Sequence, residues 1–299
     1  MKRRSFRSPL PVDLGLTLIP LRRGTQDPTM RIVRGEVLRS TRTPDGPVTI
    51  HLKTDGDRVA AGAWGPGADW ALETAPRLVG ADDRAEGFMP RDPIVAELHR
   101  RFEGLRIGAT SNPIELLVPT ILEQKVTAIE ARRSYRTIVK RYGEPAPGPG
   151  GLYTPPAPEV IAGIPSWSWH SAGVERRRAE TVRRVCRHGR RIEQVTATST
   201  CEDAHRKLVS LAGVGPWTAA YTTLLSMGDA DAVLVGDLHI PRLVSWTLAG
   251  EECGNDARML ELLEPYRGHR GRVIRLVEAG GARPARKMPR RELRAIARI

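Results

Sequence analysis

Cysteine is almost missing from this chain. Only Cys186, Cys201 and Cys253 occur, widely spaced and with no Cys-x-x-Cys pair. That excludes a disulfide scaffold, a four-thiolate zinc site and a cysteine-held iron–sulfur cluster within the chain. No apolar run is long enough to span a bilayer. The N-terminus is basic, but no apolar signal core follows it. These absences predict a soluble, intracellular, cytoplasmic protein with no membrane partner. His, Asp and Glu nowhere take the spacing of a catalytic divalent-metal site. No tandem repeat of useful length is present.

Positive charge is plentiful. Lys+Arg number 47 against 34 Asp+Glu, a formal charge of +13. Such an excess suits a polyanionic partner. Arginine outnumbers lysine, and Gly 29 and Pro 24 also fit a GC-rich genome, so the count alone leaves the partner open. The chain of 299 residues has room for two or three domains with real cores.

The pattern along the chain predicts an α+β protein. Residues 1–10 read as a basic tail. Residues 11–90 read as a β-rich domain, an antiparallel sheet with helical packing. Val48-Thr-Ile-His-Leu-Lys-Thr alternates in the manner of a half-buried strand, and Thr43-Pro-Asp-Gly-Pro47 and Asp55-Gly-Asp57 are turn signals. Residues 91–280 read as helical. Asp92 is an expected N-cap ahead of Pro93, and Asn112-Pro113 is a helix start. The 114–142 stretch reads as two helices or an interrupted pair, with Pro119 separating its first turns. The 174–192 stretch reads as one long arginine-rich helix. Residues 281–299 read as a basic, flexible tail.

One segment carries chemistry. Leu208-Val-Ser-Leu-Ala-Gly-Val-Gly-Pro-Trp-Thr-Ala219 places Gly213, Val214 and Gly215 between two apolar helical stretches. Glycines there allow positive φ and a close backbone approach. Free N–H groups at the start of the second helix favour an anion such as a phosphate. Downstream, Val235-Gly-Asp-Leu-His239 brings a carboxylate, Asp237. An ordinary helix turn followed by a capping aspartate is the plainer reading, and capping is compatible with catalysis.

This combination resembles the helix-hairpin-helix DNA glycosylases, in particular the AlkA-type branch, the DNA-3-methyladenine glycosylase II family. Leu117-Val-Pro-Thr-Ile-Leu-Glu-Gln-Lys-Val126 and Arg178-Ala-Glu-Thr-Val182 add weaker likenesses. The resemblance implies a TATA-binding-protein-like N-terminal sheet, then an all-helical glycosylase domain. It implies base flipping and hydrolytic excision of alkylated, 3-methyladenine-type purines from double-stranded DNA by a monomer. Asp237 would stabilise an oxocarbenium-like sugar and direct water. Bifunctional relatives carry a nucleophilic lysine where this chain has Trp217, so the expected product is an abasic site. Trp217 and Tyr221 are expected in the base pocket. Gly213, Val214, Gly215, Gln124, Lys125 and His239 are expected to contact DNA. Lys125 stands where some relatives place an apolar wedge, which leaves the intercalating residue open.

No cofactor is expected and no iron–sulfur cluster. The resemblance also implies a structural Na+ or K+ on the backbone carbonyls of Val209, Leu211 and Val214. Further aromatic candidates are Trp64, Trp70, Trp167, Trp169, Trp246 and Tyr266. The arginines of the 176–191 run either touch a nucleic-acid backbone or are solvated. Two alternatives stay open: excision of oxidised or deaminated bases, and a noncatalytic scaffold that binds damaged DNA.

Overall fold

The computed structural model describes residues 1–282 and Ile296. Five strands form an antiparallel sheet: β1 Lys2–Arg7, β2 Met30–Val33, β3 Glu36–Thr43, β4 Gly46–Asp55 and β5 Arg58–Trp64. Their spatial order is β1-β5-β4-β3-β2. Both predicted turns are two-residue hairpin loops, pairing Thr43 with Gly46 and Asp55 with Arg58. Gly56 sits at φ +59, a left-handed backbone that glycine takes without steric cost.

The first ten residues are not simply a tail. Lys2–Arg7 is an edge strand, in register with Arg58–Ala63. Only Phe6 in it is even partly buried, so no apolar alternation signalled the strand. Backbone pairing holds it, and its charged side chains keep the edge in solvent.

One face of the sheet is covered by α1 Leu14–Leu18 and α2 Ala68–Leu78. Leu14, Leu18, Val37, Val48, Leu52, Ala63 and Ala75 fill that core. Helices follow: α3 Pro93–Arg101, α4 Pro113–Leu122, α5 Ala128–Tyr142, α6 Pro158–Gly163, α7 Ser166–Ser171, α8 Arg176–Arg187 and α9 Gly189–Thr198. They continue with α10 Cys201–Val209, α11 Pro216–Met227, α12 Ile240–Ala249, α13 Asp256–Leu263 and α14 Arg270–Gly280. A two-stranded ribbon, β6 Glu144–Pro145 with β7 Tyr153–Thr154, lies after α5.

Several local expectations are corrected. Pro119 does not separate two segments. It lies inside α4, which is buried from Pro113 through Leu122 apart from Glu115. The arginine-rich stretch is two helices, broken at His188, whose backbone leaves the helical region at φ −96, ψ 13. Asp92 occupies the N-cap of α3 but does not cap it with its side chain. The Tyr266 hydroxyl donates to that carboxylate at 2.5 Å instead. Of the predicted C-terminal tail, Gly281 caps α14, and the part from residue 283 onward, apart from Ile296, lies outside the described residues.

The helices build two cores. One gathers Leu117, Ile121, Ile138, Trp169, Val182, Val185, Leu208 and Val214. The other gathers Val95, Leu98, Leu224, Leu234, Val244, Met259 and Val273. Helix α11 belongs to both, with Ala219 facing the first and Ala220 and Leu224 the second. The loop that carries Asp237 arrives along the second core through Leu234 and Ile240. The seam between the cores is therefore where hairpin and carboxylate meet.

A buried ion pair ties the last helix to the segment after α2. The Arg272 guanidinium donates to Asp83, at 3.0 Å to Oδ2 and more closely to Oδ1. The two side chains are 2% and 1% exposed. Asp83 also accepts the Ile107 N–H at 3.0 Å. Removing one partner strands the other charge away from water. Asp83→Ala is expected to cost about 3–5 kcal/mol of unfolding free energy. Urea unfolding followed by circular dichroism measures it, and a loss below about 1 kcal/mol counts against this assignment.

Candidate active site and hairpin

Helix α10 is capped at its start by Thr200, whose hydroxyl accepts from the Asp203 N–H. After Val209 the chain turns through Leu211 and Gly213 into α11. Val214 is 4% exposed and anchors the turn in the first core, with the half-buried Leu211 packed beside it. The Val214 N–H donates to the Leu211 carbonyl at 2.9 Å. Gly213 takes φ +93, and a Cβ there would lie 2.3 Å from Thr181 Oγ1 on α8. Glycine is required on both counts. Gly215 is different: its N-cap position has open space around it and no side-chain cap. The first N–H groups of α11 thus lack a capping side chain, while Gly213 and Ala212 are exposed.

Asp237 is held at the seam by three donors. The Trp217 indole N–H donates to Oδ2 at 2.9 Å. The backbone N–H groups of His239 and Ile240 donate to Oδ1 at 2.7 and 2.9 Å. The carboxylate therefore caps α12 with one oxygen and is oriented by α11 through the other. The capping reading of Asp237 is met with one oxygen, and the other is not used up by it. A carboxylate offers about four acceptor positions. Three are used by these donors, and one on Oδ2 is left for a substrate or a water.

Trp217 and Tyr221 are one turn apart on α11, and their rings stack with centroids 5.9 Å apart and an interplanar angle of 28°. The Tyr221 hydroxyl donates to the Pro20 carbonyl at 3.2 Å. The Arg23 guanidinium lies 5.6 Å from the Tyr221 ring centroid and 3.2 Å from Glu123 Oε1. Burial opposes its charge, but Glu123 and Tyr221 hold its pKa above the usual arginine value. Burial also raises the pKa of the Tyr221 phenol. Tyr221 thus joins the β-domain to the helical seam, with Trp217 between it and Asp237.

The other predicted residues fall in distinct places. Gln124 reaches the hairpin itself, donating to the Gly213 carbonyl at 3.0 Å and to Thr218 Oγ1 at 2.9 Å. Its amide positions the turn. Lys125 is exposed in the α4–α5 turn at φ +56, an uncommon backbone for a residue with a side chain. That conformation costs about 1–3 kcal/mol and tends to gather at functional positions. His239 is exposed, and it is its backbone that holds Asp237. Val209 is 36% exposed at the end of α10. Trp169 and Tyr266 are core residues, and Trp70 packs against the sheet core.

Sequence reasoning missed Leu238. It is 71% exposed directly after Asp237. An apolar residue in Asp-Leu-His gave no sign of facing solvent, because α12 starts two residues later and its register is not legible beforehand. Arg23 was missed as well, being far from the hairpin in sequence. Among the described residues, no group of three or more His, Cys, Asp or Glu could hold a metal ion. Nor is any helix there long and apolar enough to cross a membrane.

No protein-family model matches the chain. A probable bifunctional transcriptional activator/DNA repair enzyme AlkA of Mycobacterium tuberculosis is 27% identical over 149 residues. That match takes in 50% of this chain and 30% of the relative's length. A 3-methyladenine DNA-glycosylase from Archaeoglobus fulgidus superimposes with a TM-score of 0.77 at 20% identity, covering 93% of this chain and 98% of that one. A Clostridium acetobutylicum 8-oxoguanine glycosylase/lyase bound to double-stranded DNA gives 0.71 at 14% identity, covering 92% and 95%. The antiparallel sheet followed by a series of helices agrees with the α+β architecture of these neighbours. The fold of this chain is that of the helix-hairpin-helix DNA glycosylases.

Proposed function

We propose that this chain is a DNA N-glycosylase that works by hydrolysis. The observation that carries the proposal is the Asp237 carboxylate, fixed by Trp217, His239 and Ile240 beside the α10–α11 hairpin. The hairpin offers backbone N–H groups to a phosphate, which the start of a helix favours electrostatically. A nucleotide turned out of the duplex then presents its sugar to the carboxylate. As the C1′–N bond breaks, positive charge spreads over the sugar ring. Asp237 is poised to stabilise it and to take a proton from the water that adds to C1′. The water oxygen ends on C1′, and the base leaves with the bonding electrons. A purine alkylated at a ring nitrogen carries a positive charge beforehand and leaves as a neutral molecule.

Trp217 supports hydrolysis over lyase chemistry. An indole nitrogen is a donor only, so position 217 cannot attack C1′ to form an imine. The substrate we favour is an alkylated, 3-methyladenine-type purine in double-stranded DNA, and the chain is proposed to act as a monomer. Leu238 is proposed to fill the vacated stack, with exposed Lys125 contacting the strand nearby. A monovalent cation on the carbonyls of Val209, Leu211 and Val214 fits this reading. A carbonyl has two lone pairs, so Leu211 keeps one after accepting the Val214 N–H.

A panel of duplex oligonucleotides, each with one alkylated, oxidised or deaminated base, tests the proposal. Release of free base with an abasic product is the expected result. Asp237→Asn is expected to slow excision by about 10²–10⁴-fold while duplex affinity changes little. Binding with no base release from any oligonucleotide would mean a scaffold, and borohydride trapping of an imine would remove the hydrolytic assignment. Trp217→Phe keeps an aromatic ring but removes the donor to Oδ2. It is expected to lower the single-turnover rate by roughly 10–100-fold with little change in lesion-DNA affinity. Leu238→Ala is expected to slow excision from duplex more than from single strands, read from the same assay.

A further inference from the structure

Two adjoining cavities lie along α8. One, of about 290 Å³, is lined by Glu180, Arg183, Arg184 and Arg187. The other, of about 310 Å³, is lined in part by Trp167, Trp169, His170 and Arg176. Glu180 and Arg183 border both, so the two form one groove. Helix α8 has six arginines and one glutamate in twelve residues. Glu180 is paired with Arg176 at 2.7 Å, so the groove arginines outnumber the single acid beside them.

Two of these arginines are held in place. Arg183 donates through Nε to the Ala162 carbonyl at 3.1 Å, and Arg184 through Nη1 to the Ala212 carbonyl at 2.7 Å. Each still has donors to spare, because a guanidinium carries five N–H groups. Fixed forks lose little freedom on meeting a phosphate. At the other end of the groove Trp167 is 63% exposed. The Arg141 guanidinium lies 5.0 Å from its ring centroid. An arginine-lined groove that ends on an exposed indole combines backbone attraction with a stacking surface.

We propose that this groove is a second nucleic-acid site and that it takes a single-stranded DNA segment. Phosphates sit on Arg183, Arg184 and Arg187, and one unstacked base lies against Trp167. A duplex keeps its bases stacked inside and would leave Trp167 unused. The groove adjoins the hairpin, since Arg184 bonds Ala212 and Thr181 packs under Gly213. It rests on the glycosylase reading only for that continuity, because its binding can be measured with no excision.

The test uses the full chain and a labelled oligothymidine of about 12 nucleotides, within the usual span of such sites. Fluorescence anisotropy gives affinity, and tryptophan quenching reports stacking. Trp167→Ala is expected to weaken single-strand binding by about tenfold and to remove most of the quenching. Arg187→Glu is expected to weaken binding similarly and to flatten its salt dependence. Thermal melting confirms that both variants are folded. Base excision from lesion duplex by Trp167→Ala should stay at the unsubstituted rate. Single-strand binding unchanged in both variants would overturn the proposal. So would a groove that binds an acidic peptide and no oligonucleotide, or equal losses for duplex and single strand in Trp167→Ala. Absence of excision by the unsubstituted protein would bear on the glycosylase reading and leave these affinities interpretable.

Discussion

Everything at the seam depends on how one carboxylate divides its hydrogen bonds. Asp237 Oδ1 closes the start of α12, and Oδ2 accepts from Trp217 on α11. The two helices are therefore registered to each other through a single side chain. Backbone donors at a helix start cannot swing, and the Trp217 ring is kept by its stack on Tyr221. The carboxylate is thereby held in one orientation, which is the pre-organisation that the proposed role requires. A surface aspartate free to rotate would have the same chemistry and would serve the proposed role poorly.

The β-domain contributes from a distance. Tyr221 is bonded to Pro20 and lies against Arg23, so the segment between α1 and β2 braces the α11 aromatics. Elsewhere Arg39 reaches Glu115 at the start of α4, at 2.7 Å, and Thr41 donates to the same carboxylate. Charged groups so far from water need such complete partnering. These contacts make the sheet part of the site's support without putting a strand at the chemistry.

Much of this arrangement was legible from residue order. Pro216 in the first turn of α11 and the left-handed Gly228 after Met227 mark its limits. The hairpin turns of the sheet were readable because proline, aspartate and glycine dictate backbone geometry locally. Gly213 and Asp237 were readable because a motif joined them. The edge strand Lys2–Arg7 was not, since pairing of an edge uses backbone groups that every residue has. The internal partners of Gln124 and Trp217 were not legible for a related reason. Each bonds a residue 20 or more positions away. Tertiary partners of that kind leave no trace in local spacing.

The close seat of Gly213 on Thr181 has a mechanical consequence. With no side chain between them, turn and helix are in direct contact, and Gln124 holds the turn by donating to the Gly213 carbonyl. A load applied to the turn by a bent polymer is passed into α8 and the packed interior instead of being absorbed by a yielding loop. The turn is built as a fulcrum rather than a hinge, and a duplex held there as proposed would have to take up the strain itself.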